Sequence, residues 1–598
     1  MRSPYPARKY NPLLTPSRSS VLWLAFTLLC VWCVGMMGRG YWTPDEPREA
    51  DIAWRMSAQP GKSVPLLAGE PFCEKPPLTY WVAGASMRLF GESGWSARLP
   101  NLLYAVLTSL GAGLLARRSA GPLAGLVAAA AVATFLLSYQ VAIWLATDAP
   151  LAAAVAVALL GAYRGFYAQD RAERLRGYTL MHAALAAGFL SKSAVAWMVP
   201  ALALVTLAIW ERRFRELLRW ELYAGLVIQA IAILAWVWCV YVGADGPAHL
   251  KVFFWNNLAG RFTHIEAAQD LQYATAHRNT PGKYLMELPL YLWPWTLLVA
   301  AALRRAWLAR GAPADAMRPV RFALASTLPP LDLLSVAATA RNIYLAPALP
   351  GFALLLGWWA RETSAKGDRW DLRALRATAW LLLIAVAVFA AALGVASADA
   401  WHETSRAAWA GSVALCALGL AAAAILSLRA QAAAGRGRTE SPRIALFFAY
   451  CALLAAPSSQ LFRQVDRWQD LGSVGRAIET DAAGRRLILM APDETTRAFI
   501  DMYARTEVGL VKPPLDADSI GRLREMLAND REALVAVQLP GRQLTGAMRR
   551  LADALGLAAR WAASSPDVPP WAPALELRIA HQYALPNGRR YALLETAR

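Results

Sequence analysis

The chain is dominated by apolar runs of membrane-spanning length, broken by short arginine-rich clusters. A bilayer core about 30 Å thick needs roughly 20 apolar residues per helix. Runs of about that size fall at 21–37, 99–116, 122–138, 149–163, 178–191, 193–210, 221–243, 285–303, 320–337, 343–360, 374–396, 408–428 and 444–459. They predict about 13 transmembrane helices. Composition agrees, with 57% hydrophobic and 17% charged residues among 598, where a soluble domain carries about 25% charged. That balance excludes an ordinary cytosolic enzyme and a disordered chain.

The net charge of +19 does not signal nucleic acid, because residues 461–598 are nearly balanced and the excess lies in the apolar part. Taken from a cytoplasmic N-terminus, alternate loops carry Arg117/Arg118, Arg164/Arg171/Arg174/Arg176, Arg212/Arg213/Arg215/Arg219, Arg304/Arg305/Arg310/Arg318, Arg361/Lys366/Arg369/Arg373 and Arg429/Arg436/Arg438/Arg443. This is the positive-inside pattern, and an odd number of crossings places the C-terminus outside. No small-residue cleavage site follows the first run before Arg39, so that run is read as a retained helix. Five cysteines lie in apolar runs and only Cys73 in a loop, which implies no disulfide framework.

The expected fold class is therefore a membrane all-α protein with long outer loops and a small C-terminal α/β domain. Residues 1–460 form the multi-pass part, with outer loops at 39–98 and 244–283. Residues 461–598 read as the outer α/β domain, with strands at Arg486–Met490, Ala533–Gln538 and Arg590–Glu595. Its helices are expected at Glu494–Tyr503, Asp518–Asn529 and Gly546–Leu555. No internal repeat points to an inverted-repeat transporter.

Chemistry concentrates in the outer segments. After the first helix comes Tyr41-Trp42-Thr43-Pro44-Asp45-Glu46-Pro47-Arg48-Glu49-Ala50-Asp51. Locally it reads as a capping box, with Thr43 as N-cap, Pro44 at N1 and Glu46 at N3; that leaves four acids and an arginine at one membrane edge unexplained. Glu74-Lys75-Pro76-Pro77 follows, locally a solvated ion pair. Asp148 begins a helix, where it reads as an N-cap, and Lys192 sits in a tight turn, where it reads as snorkelling. Ionisable groups at membrane depth are functional candidates, and these four clusters share one face. Arg261, Arg341 and Tyr344 offer donors suited to phosphate oxygens. Glu74 and His264 make a candidate pair for a divalent cation such as zinc, although no spacing motif links them.

Taken in order, Asp45-Glu46-Pro47-Arg48, Glu74-Lys75-Pro76, Asp148, Ser191-Lys192-Ser193 and Arg341-Asn342-Ile343-Tyr344-Leu345-Ala346-Pro347 resemble the GT-C membrane glycosyltransferases that use polyprenyl-phosphate sugars. Within them the chain is most similar to the bacterial lipid A aminoarabinosyltransferases, distant relatives of protein O-mannosyltransferases. The Asp-Glu motif is shared across the superfamily and speaks for fold; Glu74-Lys75-Pro76 and Ser191-Lys192 point to the lipid A branch. Leu328-Pro329-Pro330-Leu331-Asp332 departs from the pattern.

The resemblance implies a monomer of the bacterial inner membrane. Its expected reaction moves an amino sugar, 4-amino-4-deoxy-L-arabinose, from undecaprenyl phosphate to a lipid A phosphate at the periplasmic face. It implies Lys75, Arg261, Tyr344 and Arg341 at the donor phosphate, Arg48 and Lys192 at the acceptor phosphate, and Asp45, Glu46 and Asp148 as catalytic acids. The role of Asp45 stays open: a base if the acceptor is a hydroxyl, or a partner for the sugar ammonium and the cations if the acceptor is a phosphate already ionised. Rival readings are transfer to protein or another glycan, a lipid or solute transporter, and a receptor or scaffold with the outer domain as binder.

Overall fold

The computed structural model describes residues 17–59, 61–258, 280–337, 341–364, 367–400, 406–456, 458–503, 508–539, 568–585 and 587–597. Among them, 8 helices are long and apolar enough to cross a membrane, or up to 10 if each of two bent pairs is one span. The molecule is thus a multi-pass membrane protein, with 8 to 10 such spans among the described residues where about 13 were expected. Pro122–Thr134 and Leu136–Ile143 form one pair, bent by 64°, and Lys283–Tyr291 and Thr296–Leu308 the other, bent by 110°. The run at 320–337 divides into Ala314–Ala325 and Leu328–Val336. Pro329 and Pro330 lack the N–H that would continue the earlier helix and instead open a new one. Arg171–Lys192 is a long helix, but Arg171, Glu173, Arg174 and Arg176 fill its first turns. Val195–Trp210 has only 16 residues.

Helices Asp148–Phe166 and Asn342–Glu362 lie at the centre, with 89% and 94% of their most apolar windows buried. The first is built from alanine and glycine, so neighbours approach closely: a Cβ on Gly161 would stand 2.6 Å from the Met181 backbone nitrogen. Small residues at such contacts let backbones pack directly, the main source of helix association where lipid is as apolar as leucine. The helices at 369–394 and 410–435 stay on the outside, turning Trp380, Ile384, Val388, Leu415 and Leu418 outward.

The segment 39–98 is folded: it holds helices Asp45–Ala58, Leu78–Phe90 and Gly94–Arg98 and the hairpin β1 (Leu66–Leu67) and β2 (Glu70–Pro71). The expected capping box does not form. Helix Asp45–Ala58 starts after Pro44 with no side-chain cap, because Thr43 donates instead to Gln469 at 2.5 Å and Glu46 is drawn to two arginines.

The C-terminal part carries a five-stranded sheet ordered β4-β3-β5-β7-β6. Its strands are β3 (Leu487–Met490), β4 (Val508–Val511), β5 (Leu534–Leu539), β6 (Leu577–Ala584) and β7 (Arg590–Thr596). β3 pairs parallel with β4 and β5, while β7 runs antiparallel to β5 and β6. Side chains alternate between two cores: Leu487 and Leu489 join Phe499 and Ile500, whereas Ile488 and Met490 join Leu523 and Leu527. Burial on both faces explains why β3 reads as an unbroken apolar run. The helix expected at Gly546–Leu555 lies outside the described residues. Helix Glu494–Tyr503 seats this unit on helix Asp45–Ala58: Thr495 Oγ1 donates to the Pro44 carbonyl at 2.9 Å. Asp466 accepts from the Gly40 N–H at 3.0 Å and from the Trp42 indole at 2.7 Å.

Candidate active site

The site is built outward from a buried carboxylate. Glu46 has no exposed side-chain surface and accepts from Arg39 at 2.6 Å and Arg98 at 2.8 Å. It also accepts from the backbone N–H groups of Trp42 and Leu145 at 2.8 and 2.9 Å. Burial pushes its carboxyl up, but Arg98 and Arg39 outweigh this and bring it down to about 2. Every partner is scaffold: Arg39 also donates to the Ile143 carbonyl and Arg98 to that of Gly40. Glu46, expected among the catalytic acids, is held at the helix start by these contacts, and its neighbour Asp45 faces a different pair of cations.

Asp45 is held between two guanidinium groups. Arg341 bonds its Oδ2, and Arg48, one turn along the helix, lies 3.3 Å from Oδ1. Burial raises the Asp45 carboxyl, yet Arg48 and Arg341 hold it below the usual aspartate range. Arg48 also meets Glu49 at 3.0 Å and Glu494, from the C-terminal unit, at 2.5 Å. Lys75 takes the same Glu49 oxygen at 2.7 Å. Burial raises Glu49, but Lys75 and Arg48 bring it down to about 2.

A second group sits where Asp148–Phe166 begins and Arg171–Lys192 ends. Lys192 Nζ lies 2.5 Å from Asp148 Oδ1 and 4.7 Å above the ring of Tyr344. The local readings of Asp148 as an N-cap and Lys192 as a snorkelling lysine give way to this pair: Asp148 is the first helical residue and the N-cap is Thr147. Segment 341–344 joins the two groups. The Arg341 carbonyl accepts from the Tyr344 N–H at 3.0 Å and from the Tyr284 hydroxyl at 2.8 Å, while the Arg341 guanidinium reaches Asp45. The arrangement offers cations and a phenol to phosphate oxygens, each already oriented by a carboxylate or a neighbouring ring.

Residues 74–238 match the family described as dolichyl-phosphate-mannose-protein mannosyltransferase. The undecaprenyl phosphate-alpha-4-amino-4-deoxy-L-arabinose arabinosyl transferase of Pseudomonas paraeruginosa is 31% identical over 355 residues, covering 59% of this chain and 61% of that protein. The protein of the same name from Pectobacterium carotovorum is 30% identical over 392 residues, covering 63% and 66%. The chain therefore matches about three fifths of the length of these relatives. In fold the likeness runs further: the crystal structure of ArnT from Cupriavidus metallidurans in the apo state covers 96% of this chain and 98% of that one, with TM-score 0.68 at 19% identity. The chain has the ArnT fold. The same ArnT bound to undecaprenyl phosphate matches with TM-score 0.67 at 19% identity, over 97% of this chain and 98% of that one.

On this ArnT fold the residues singled out in the sequence fall into place unevenly. Asp45, Arg48, Lys75 and Arg341 share one network, and Asp148, Lys192 and Tyr344 share the next. The expected donor and acceptor sets interleave: Arg48 and Lys75 meet on Glu49, and Lys192 lies on Tyr344. Arg261 and His264 lie outside the described residues. Glu74 stands close enough to Arg48 and Tyr80 to act on both electrostatically. Among the described residues no group of three His, Cys, Asp or Glu side chains suits a metal ion. Sequence reasoning missed Glu49, Tyr284 and Glu494. Glu49 stands in the quoted acidic run, but Glu494 is 446 residues from Arg48, and no local pattern joins them.

Proposed function

We propose that the chain is a glycosyltransferase that moves 4-amino-4-deoxy-L-arabinose from undecaprenyl phosphate to a lipid A phosphate. The observation that carries this is the pair of adjoining cationic groups linked through residues 341–344, with Asp45 kept ionised between Arg48 and Arg341. An acceptor phosphate oxygen attacks the anomeric carbon and a new C–O bond forms. The bond from that carbon to the donor phosphate oxygen breaks, and its electron pair leaves with undecaprenyl phosphate. The acceptor is already an anion, so no proton need change hands.

Lys75, Tyr344, Arg341 and Arg261 serve the donor phosphate, where negative charge develops, and Arg48 and Lys192 serve the acceptor. Interleaved sets suit this reaction, since one sugar passes directly between two phosphates. A carboxyl held below the usual range is a weak general base at neutral pH. That favours Asp45 as a partner of the sugar ammonium and the cations, over a base for a hydroxyl acceptor, and Asp148, 2.5 Å from Lys192, is assigned the same role on its geometry. A divalent cation held by Glu74 and His264 stays part of this reading, with His264 outside the described residues. The site faces the periplasm under this reading, as does the C-terminal unit, and the arginine clusters face the cytoplasm.

The test is expression in a bacterium lacking its own lipid A sugar transferase, with extracted lipid A weighed by mass spectrometry. A mass increase of one pentosamine, lost in Asp45→Asn at normal expression, is the expected result. No change with donor sugar supplied would overturn the lipid A reading and turn the search to hydroxyl acceptors.

A further inference from the structure

A polar cavity of about 390 Å³ opens between the ends of helices Asp148–Phe166 and Val195–Trp210 and the start of Ala314–Ala325. Its volume falls within the range of small-ligand sites. Helix Asp148–Phe166 has its first residue in the candidate active site and its last beside this cavity. Its 19 residues rise about 28 Å at 1.5 Å each, close to the thickness of a bilayer core. The cavity therefore lies at the opposite membrane surface from Asp45. Trp210, Phe214 and Trp307 are exposed near this end, as aromatic side chains are at the headgroup level.

Three guanidinium groups line the cavity, from Arg213, Arg318 and Arg321, against two carboxylates, Glu211 and Asp315. Glu211 accepts from the Tyr167 hydroxyl at 2.8 Å, while Arg321 and Arg213 stand at 3.5 and 3.8 Å. The Arg321 side chain is 22% exposed, and that 3.5 Å approach is its single ion-pair contact among the described residues. Its one carboxylate partner is shared with Arg213, so a guanidinium with five N–H donors keeps capacity for a further anion. Arg318 pairs with Asp315 at 2.5 Å, but Asp315 is 79% exposed, so the pair is weak and readily exchanged. Arg318 also lies over the ring of Tyr167, another lining residue, at 5.1 Å.

We infer that this cavity binds a phosphate anion, carried by the headgroup of an anionic phospholipid in the leaflet opposite the transfer site. A phosphodiester would take donors from Arg318 and Arg321 in the forked geometry that guanidinium groups offer. Its acyl chains would lie along the apolar surface beside Trp210 and Trp307.

The test uses the purified full-length chain in neutral detergent. Retention of phosphatidylglycerol and phosphatidylcholine is compared by native mass spectrometry, and thermal midpoints are recorded with each lipid and with inorganic phosphate. Phosphatidylglycerol is expected to be retained in preference to phosphatidylcholine and to raise the midpoint. Arg321→Gln and Arg318→Gln should each cut its retention about fivefold, the weight of one basic side chain at an anionic surface. Arg429→Gln, at an exposed arginine outside the cavity, should leave retention unchanged. Should Arg321→Gln fail to fold, Arg318 at the cavity rim carries the comparison. Equal retention of the two lipids, or wild-type retention in both variants, overturns the proposal. Protection by inorganic phosphate alone, lost in the variants, keeps the anion site and overturns its lipid source.

Discussion

Arg48 is shared by Asp45, Glu49 and Glu494, so its guanidinium is aimed before any substrate arrives. Glu494 supplies the shortest of these contacts from a separate part of the chain. Glu494→Ala is expected to lower kcat/KM about tenfold at normal expression, the scale of one charge-assisted hydrogen bond; full activity in a donor-titration assay would refute it. Asp45→Asn removes the anion between Arg48 and Arg341 and should cost roughly 100-fold in kcat, as loss of one preorganised electrostatic contact does. The lowered carboxyl of Asp45 also fixes a sign. A depressed acid stays ionised down to and below the ordinary aspartate range near 3.9. A pH–rate profile should therefore show no inflection from Asp45 between about pH 5 and 8, and an inflection there that vanishes in Asp45→Asn would count against this role.

Helix Asp45–Ala58 is clamped at its start by Glu46 and midway by Asp51. Asp51 is fully buried and accepts from the Ala68 N–H at 2.6 Å, while Asp501 of helix Glu494–Tyr503 is bonded to Arg55. Burial and the neighbouring Asp501 push the Asp51 carboxyl well above its usual range, against the pull of Arg55. A raised acid favours the protonated folded state. Its stabilisation is full below the unfolded pKa near 3.9 and is lost as pH rises through the folded value. Asp51→Asn should therefore raise the unfolding midpoint more at pH 8 than at pH 5, and an equal shift at both would refute the protonation. At this scale the sequence was legible where periodicity ran undisturbed: Glu494–Tyr503 matches its expected bounds, and β3 and β5 fall within a residue of theirs. It was not legible where one apolar run hides a break, as at Leu328-Pro329-Pro330, because apolarity measures length in lipid and not direction. The site followed the same rule. The motifs around Asp45, Lys75, Asp148, Lys192 and Tyr344 were visible because each is contiguous. Arg341 meets Asp45 across 296 residues and Arg98 meets Glu46 across 52, separations that no local pattern spans.

Across the whole molecule, the C-terminal unit is bonded to the candidate site and to the segment 39–98. Asp466, Gln469, Glu494 and Thr495 all bond residues between Gly40 and Arg48. Asp466→Ala, which frees the Gly40 N–H and the Trp42 indole, should cost about 2 kcal/mol of stability, read as a lowered thermal midpoint in detergent. An unchanged midpoint would show the two parts to be independent. The Glu46 anchor bears on how such a chain is made. Arg39 and Glu46 leave the ribosome together, but Arg98 follows 52 residues after Glu46 and the Leu145 N–H 99 residues after it. Until those later segments have been threaded into the bilayer, Glu46 has only Arg39 and the Trp42 N–H as donors and stands incompletely satisfied at the membrane edge, where ionised groups are expensive. A nascent chain stalled before that point would keep an unfinished ionic knot at the edge of the bilayer, a site of local weakness that the completed fold does not have.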